Sequence, residues 1–388
     1  MNNLYQFFTA KHIISGAGSL DQLSEHLHLV NKKIASAFIV AQPALQRLGF
    51  IEKVENQLAE KGINTFTINK IMPEPTIQNI EDVYREIAEK EFDLLIGIGG
   101  GSVLDATKLL SVLKTNDVSI RDLLSGNQIE RKGIPTILIP STSGTGSEVT
   151  PNSIVTIPEE ELKVGIVSKY LLPELVILDP VLTLSLPKSI TAATGMDAFT
   201  HSLESFISNK ANPISDMFAL ESIRLISSSL LEAYHNGSSI EAREKMLIGS
   251  MYGGMALTSA GTAAVHALAY PLGGKFNIPH GEANSMLLPH VMEFNMDVIT
   301  ERLVQVSKAM GIDHSEESKE KIAEKVIEQI EEWTKELNIS QNLNEFGVHE
   351  SDIPHLAESA SKVTRLLNNN PKQLTIEQMK IIYRKLLP

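Results

Sequence analysis

The sequence predicts two domains in tandem: an α/β domain built on a parallel sheet, then an all-helical domain. Three observations carry this. Through the first half, short and almost continuously apolar runs alternate with helical patterns of roughly 12 residues or more, the signature of parallel strands covered on both faces. From Pro187 onward the apolar residues recur at the helical period, and few β-rich runs remain. The length, 388 residues, fits two domains at about 150 residues each.

Taken in order, residues 36–40 (SAFIV) predict a strand and 44–61 an amphipathic helix. Residues 64–68 (NTFTI) predict a strand and 77–90 a helix. Residues 93–98 (DLLIGI) predict a strand ending in a glycine cluster, with a helix over 102–114. Then come a strand at 134–140 (IPTILIP), an edge-like hairpin over 153–168 and a strand at 175–179 (LVILD). Helical patterns follow at 188–208, 213–234, 239–259, 261–272, 282–293, 297–310, 317–337 and 351–366. LDPVLTLSLP, with its two prolines, marks the change of pattern. It sets domains of 1–183 and 184–388, with a site expected in the cleft between them.

Composition removes several function classes. Forty-seven acidic against 34 basic side chains give a net charge of −13, which argues against a nucleic-acid partner because tracking phosphates needs a basic excess. The absence of cysteine excludes disulfides, thiolate nucleophiles, iron–sulfur clusters and Cys-based zinc sites. Any metal must be held by nitrogen and oxygen. No apolar stretch reaches about 18 residues, and MNNLYQFFTAKHIISGAGS has no basic region before an apolar run. Neither a membrane span nor a secretory leader is expected, and the expected location is cytoplasmic.

Two loops carry a nucleotide signal. IGIGGGSVLDATK (96–108) closes a strand and opens a helix. Its glycines let the backbone turn sharply and approach a ligand, and Ser102 stands where an N-cap is expected, so free N–H groups would face an anion. A tight turn without ligand would read the same way. IPSTSGTGSEVTPNS (139–153) is a hydroxyl-rich run at the end of the next strand, where open α/β sheets face their crevice. Thr142, Ser143 and Thr145 could bond phosphate, ribose or amide there, although a solvated loop has the same composition.

The helical half carries a metal signal. Asp197 and His201, four apart, share one face of a helix, and His266 and His280 bracket a glycine–proline turn. One carboxylate and three imidazoles suit Fe(II), Zn(II) or Mn(II) rather than Ca(II) or Mg(II). His290, in an apolar stretch, reads as structural, and His12, His26, His28, His235, His314, His349 and His355 receive no role.

Together these segments resemble the iron-dependent, or group III, alcohol dehydrogenase family over nearly the whole chain. The most specific parts are GGGSVLDATK, PSTSGTGSEVTPNS, ATGMDAFTHSLE and VHALAYPLGG…IPHGEANSMLLPHV. The resemblance implies a Rossmann-like N-terminal domain and an all-helical C-terminal domain, the architecture also of dehydroquinate synthase. It implies Asp197, His201, His266 and His280 as metal ligands. Gly99, Gly100, Gly101 and Ser102 become the pyrophosphate loop, and Asp105, Thr142, Thr145, Asn152 and Lys163 line the dinucleotide. Two positions depart from the family's pattern. Gln42 stands where many NAD-preferring members carry an aspartate toward the adenosine ribose. Tyr270, four residues after His266, replaces a histidine, and it becomes a tentative catalytic residue. The implied activity is reversible hydride transfer between a small alcohol or aldehyde and NAD(P) at a divalent metal, Fe(II) first. The implied assembly is a homo-oligomer, dimer or larger. Two alternatives stand beside it: a polyol dehydrogenase or dehydroquinate-synthase-like enzyme of the same fold, and a nucleotide-binding protein whose metal site is vestigial.

Overall fold

The computed structural model describes residues 4–31, 33–313 and 317–388. Residues 1–3, part of the stretch read for a leader, and His314 lie outside them.

The strands are β1 (His12–Ser15), β2 (Ser36–Ala41), β3 (Asn64–Ile68), β4 (Leu94–Gly99), β5 (Thr136–Pro140), β6 (Asn152–Ile157), β7 (Leu162–Val167) and β8 (Leu175–Leu178). Six of them form one parallel sheet in the order β1-β8-β5-β4-β2-β3, while β6 and β7 form a separate antiparallel hairpin. Helices α1 (Leu23–His26), α2 (Pro43–Arg47), α3 (Phe50–Glu60), α4 (Ile77–Ile87), α5 (Gly101–Leu113) and α6 (Ile120–Leu124) belong to this half. The sheet is apolar on both faces: Phe38, Val40 and Leu95 pack to one side, and Ile39, Ile96 and Ile177 to the other. That is why its strands read as continuous apolar runs rather than alternating ones.

The second half is helical: α7 (Lys188–Ile207), α8 (Pro213–Ser227), α9 (Leu230–His235), α10 (Ile240–Ala260), α11 (Ala264–Phe276), α12 (His280–Met310), α13 (Lys319–Glu336), α14 (Ile353–Ser361), α15 (Thr364–Leu367) and α16 (Ile376–Arg384). They enclose one large apolar core, in which Phe199 meets Trp333 edge-on at 5.1 Å. Among the described residues, no helix is long and apolar enough to cross a membrane.

Several boundaries differ from the sequence reading, each for a local reason. The helix expected over 44–61 is two, because Gly49 sits at φ +79 and turns the chain between α2 and α3. The one expected over 213–234 breaks at Ser228 and Ser229. Conversely, 282–293 and 297–310 are one helix, α12, which runs through Pro289. The last pattern, 351–366, divides into α14 and α15. Strand β1 escaped notice because HIIS is too short to show a period, yet it pairs with β8 from His12↔Leu175 to Ser15↔Leu178. Helices α6 and α16 were also not anticipated.

The register aligns three strand ends. Ala41 of β2 stands opposite Ile98 of β4, and Gly99 of β4 opposite Pro140 of β5. The loops that follow therefore leave the sheet side by side, facing the helical half. The second loop seats directly on it: Gly146, at φ +58, approaches Gly254 of α10 so closely that a Cβ would lie 2.6 Å from its Cα.

Candidate metal centre and cofactor cleft

Helix α7 runs buried for most of its length and presents Asp197 and His201 on one face. Helix α11 supplies His266, and α12 opens on His280, set by the close packing of Gly281 against Ala193 of α7. One ligand atom from each of the four lies within 4.8 Å of all the others. Asp197 Oδ1 is 3.9 Å from His201 Nε2, 3.8 Å from His266 Nε2 and 3.8 Å from His280 Nε2. Asp197, His201 and His266 are buried, whereas the His280 side chain is 26% exposed, which makes it the group of the four nearest the opening.

Outer bonds aim these rings. His266 Nδ1 bonds Glu204 Oε2 at 2.6 Å, and Glu204 Oε1 accepts from the Val265 N–H at 2.6 Å. With two donors to satisfy, the buried carboxylate keeps the proton on Nδ1 and turns the Nε2 lone pair inward. His201 Nδ1 bonds the Gly144 carbonyl at 3.3 Å, which has the same effect and ties the metal residues to the cofactor loop. Burial lowers the pKa of His201, and that of His280 well below the usual imidazole value, so both stay neutral. The neighbouring imidazoles hold the Asp197 carboxyl below its ordinary pKa against the opposing effect of burial.

A fifth side chain marks the centre. The Asn284 amide nitrogen is 2.7 Å from Asp197 Oδ1 and 3.2 Å from both His266 Nε2 and His280 Nε2, and its Oδ1 is buried without a partner. Lone pairs that converge on one donor would converge equally on a cation, so the donor set fits a divalent metal. Glu204 and Asn284 were not singled out from sequence. The available signal was helical spacing, since Glu204 follows His201 by three residues and Asn284 follows His280 by four.

The cofactor cleft is built differently. Gln42 caps α2 directly after β2, and its Oε1 accepts from the Gly100 N–H at 3.1 Å and from Ser141 Oγ at 3.4 Å. One side chain thus ties all three strand ends together. Gly100, not Ser102, is the N-cap of α5, and this corrects the sequence reading. The helix opens one residue earlier than expected, and the Ser102 hydroxyl is used by the Glu74 N–H at 3.0 Å. Gly99 lies against Val103 and Gln42, and Thr142 against Gly100. Gly101 lies against Thr145, where a Cβ would come 2.6 Å from Cγ2.

The other expected residues are placed as follows. Asp105 is buried and faces inward: Lys108 Nζ is 2.8 Å from one carboxylate oxygen, Ser147 Oγ also bonds that oxygen, and the Ile154 N–H donates to the other at 2.9 Å. Its carboxylate ties α5 to the second loop and the hairpin. Asn152 opens β6, and its carbonyl accepts from Lys108. Lys163, on β7, pairs with Glu74 at 2.6 Å and lies against Gly273 of α11. Tyr270 is 5% exposed, with its ring 6.0 Å from that of His280 and with Ala267 and Leu366 as apolar neighbours. Burial raises its pKa above the ordinary phenol value.

Residues 10–180 match the family "Iron-containing alcohol dehydrogenase", and residues 191–387 match "Fe-containing alcohol dehydrogenase family, C-terminal". Long-chain-alcohol dehydrogenase 1 of Geobacillus thermodenitrificans is 40% identical over 371 residues, which is 95% of this chain and 93% of that protein. Sulfoacetaldehyde reductase of Bilophila wadsworthia is 35% identical over 374 residues, 96% of each chain. The crystal structure of a 1,3-propanediol oxidoreductase superposes with a TM-score of 0.94 at 32% identity, covering 99% of this chain and 100% of that one. With both halves matched, and relatives aligned over nearly their full length, the chain belongs to the iron-containing alcohol dehydrogenase family.

Proposed function

We propose that Asp197, His201, His266 and His280 hold the divalent metal of this alcohol and aldehyde oxidoreductase, iron(II) before zinc(II) or manganese(II). The dinucleotide would cross the ends of β2, β4 and β5, bringing its nicotinamide to that centre. The observation that carries this reading is the convergence of three imidazole Nε2 atoms on Asp197 Oδ1 at 3.8 to 3.9 Å.

When bound, a divalent ion supplies Lewis acidity at the alcohol or carbonyl oxygen, with net charge +1 beside one carboxylate and three neutral imidazoles. The chain's own residues do the rest. Glu204 and the Gly144 carbonyl hold the His266 and His201 rings in the tautomer that faces inward. The buried faces of α7, α11 and α12 exclude water from the reacting atoms. Gly99, Gly100 and Gly101 let the pyrophosphate approach the backbone, which fixes the distance from ring to substrate carbon. Tyr270, kept protonated by burial, is a hydrogen-bond donor toward the substrate rather than a proton relay.

The wall around Tyr270 is formed by Ala267 and Leu366 with Leu162, Val363 and Leu367. It supports a small aliphatic alcohol or aldehyde over a polyol. The complete ligand set speaks against a vestigial centre. A second reading rests on Arg365. Its Nη2 would lie 3.0 Å from a Cβ on Gly165, its charge acts on Tyr270, and it makes no ion pair among the described residues. A cation at this wall favours an aldehyde carrying an anionic group, as in the name of the sulfoacetaldehyde reductase relative.

A domain division at 183/184, a cytoplasmic location and a homo-oligomer complete the proposal. Pro180 and Pro187, which flank the division, support the first. The absence of cysteine supports the second, and size-exclusion chromatography tests the third. The deciding experiment assays aliphatic aldehydes, sulfoacetaldehyde and polyols on protein loaded with iron, zinc or manganese. Aliphatic turnover that depends on metal is expected. Sulfoacetaldehyde as the best substrate would favour the second reading, and no metal-dependent turnover of any alcohol or aldehyde would overturn both.

A further inference from the structure

Between the glycine loop and the metal centre stands an ion pair carried on a strained piece of backbone. Glu74 lies in the loop that leads into α4, flanked by Pro73 and Pro75, with its backbone in the left-handed region at φ +50. A residue with a Cβ disfavours that region, and a residue before a proline favours extended backbone. Such a conformation persists only where its surroundings over-determine it. Here the Glu74 N–H donates to Ser102 Oγ of α5 at 3.0 Å, and the Glu74 carbonyl accepts from Thr156 Oγ1 of β6 at 3.1 Å. The Pro75 carbonyl accepts from the Thr156 N–H at 3.0 Å. These backbone bonds fix the loop, so the Glu74 carboxylate is not needed to hold it.

That carboxylate meets Lys163 Nζ at 2.6 Å, and among the described residues each is the other's only ion-pair partner. The Lys163 side chain is 5% exposed and that of Glu74 33%. The ammonium lies against α11, the helix of His266 and Tyr270, where a Cβ on Gly273 would come 2.9 Å from it. Burial first, and the Lys163 charge beside it, disfavour a proton on His280, so the ammonium acts on the group nearest the opening. Hydride transfer needs the nicotinamide ring at that same opening. A buried cation there acts on the ring, and Glu74 is its counter-charge.

The charge of the ring changes during the reaction. The alcohol C–H bond breaks with its electron pair, a C–H bond forms on the ring, and the alcohol oxygen gives up its proton as the carbonyl forms. The oxidised ring is therefore a cation and the reduced ring is neutral. A lone ammonium nearby would disfavour the first and leave the second unaffected. We propose that Glu74 sets the balance between the two cofactor forms: by neutralising Lys163, it lets the oxidised dinucleotide bind nearly as well as the reduced one. Glu74 acts through Lys163 and touches no reacting atom, so it tunes the site rather than catalyses. The proposal rests on the cofactor cleft described above, and its test reads binding of both forms rather than turnover for that reason.

Fluorescence titration of the full-length, metal-loaded protein with NADH and NADPH, and displacement of each by its oxidised form, gives the ratio of oxidised to reduced dissociation constants. Glu74→Gln should raise that ratio about tenfold by weakening the oxidised form alone. Glu74→Asp, which keeps the charge on a shorter stem, should stay close to wild type. Lys163→Met should lower the ratio, because the Glu74 carboxylate then stands unpaired and attracts the cationic ring. The double variant Glu74→Gln, Lys163→Met should return near the wild-type ratio. A ratio in Glu74→Gln that is unchanged or lower overturns the proposal while leaving the cleft in place. So does a Glu74→Gln variant that weakens both forms alike, which would mark the pair as a brace of the loop only. Failure of both cofactor forms to bind wild type would remove the cleft reading and this proposal with it.

Discussion

Asp197, His201, His266 and His280 reach their common point from three helices, and each offers a side-chain donor atom there. Across the loop at residues 141–147, the cofactor cleft is made mostly of backbone: glycine N–H groups at the start of α5, short hydroxyl residues, and one glutamine that ties the strand ends together. The first region works by what its side chains offer. The second works by what its glycines omit. The two should therefore fail differently: the metal centre when a group is deleted, the cleft when bulk is added.

The largest effect is expected from deletion at the metal centre. His266→Ala removes a proposed metal ligand whose ring Glu204 aims. Turnover should fall about a thousandfold or more, because Lewis acidity supplies several kcal/mol. Elemental analysis should show most of the metal gone while dinucleotide binding persists. Full metal content in this variant would remove His266 from the ligand set.

Glu204→Gln tests the outer bond. The amide cannot accept from both His266 Nδ1 and the Val265 N–H as the carboxylate does at 2.6 Å each. Metal affinity should drop roughly 10- to 100-fold, as for other outer-shell partners of metal-bound histidines. Competition with a chelator measures it. An unchanged metal affinity would mean that Glu204 serves only to hold the start of α11.

Gly101→Ala is the matching test by addition. Its new Cβ would lie 2.6 Å from Thr145 Cγ2 and 2.8 Å from Oγ1, so the loop or the helix start must shift. Dinucleotide affinity should fall about tenfold with metal content intact, since misplacement by a fraction of an ångström suffices. A variant that loses metal but binds NAD(P)H normally would invert the comparison.

The same contrast explains what was legible in the sequence. Asp197 and His201 at a spacing of four announce themselves because few residue types can bind a metal, and the glycine run announces itself because few residues can stand so close to a ligand. Glu204 and Asn284 did not stand out, since a glutamate or asparagine on a helix is ordinary until its neighbours are known. The sheet was readable because burial on both faces leaves a continuous apolar run, whereas four-residue β1 carries no period. Two local readings misled: the gap left at 294–296 is spanned by the continuous helix α12, and a serine after three glycines suggested a cap that Gly100 already provides, because the helix start was read one residue late.

Within the cofactor loop, one buried charge departs from the pattern of backbone and hydroxyls. Glu148 is 2% exposed, its Oε1 lacks a partner, and burial raises its pKa to about 7, with Lys108 opposing and Asp105 adding to the shift. A carboxyl that ionises less readily when folded than unfolded destabilises the fold progressively as pH rises from its ordinary value of 4.5 toward about 7, and levels off above. Glu148→Gln removes this titration. Its melting temperature relative to wild type should therefore be higher at about pH 8 than at about pH 5. A difference that does not change with pH would show that Glu148 ionises alike in both states.

Tyr270→Phe is the smallest change and lies where the two regions meet. The ring packs among Ala267 and Leu366, 6.0 Å from His280, and the hydroxyl makes no hydrogen bond to another described residue. Removing that oxygen leaves the apolar contacts in place, so the fold should be insensitive to it and the metal should stay bound. If the hydroxyl donates to the substrate, the variant loses a hydrogen bond worth about 1 kcal/mol, a several-fold fall in kcat/KM that varies with the aldehyde. Because burial keeps the phenol protonated, the pH dependence of kcat should be unaltered around neutrality. A purely structural tyrosine would give the opposite pattern, with a lowered melting temperature and uniform kinetics across the substrate panel. Measuring metal content, melting temperature and kcat/KM for several aldehydes on this one variant separates the two. Uniform, wild-type kinetics would mean that the tyrosine in place of histidine does not shape the substrate pocket.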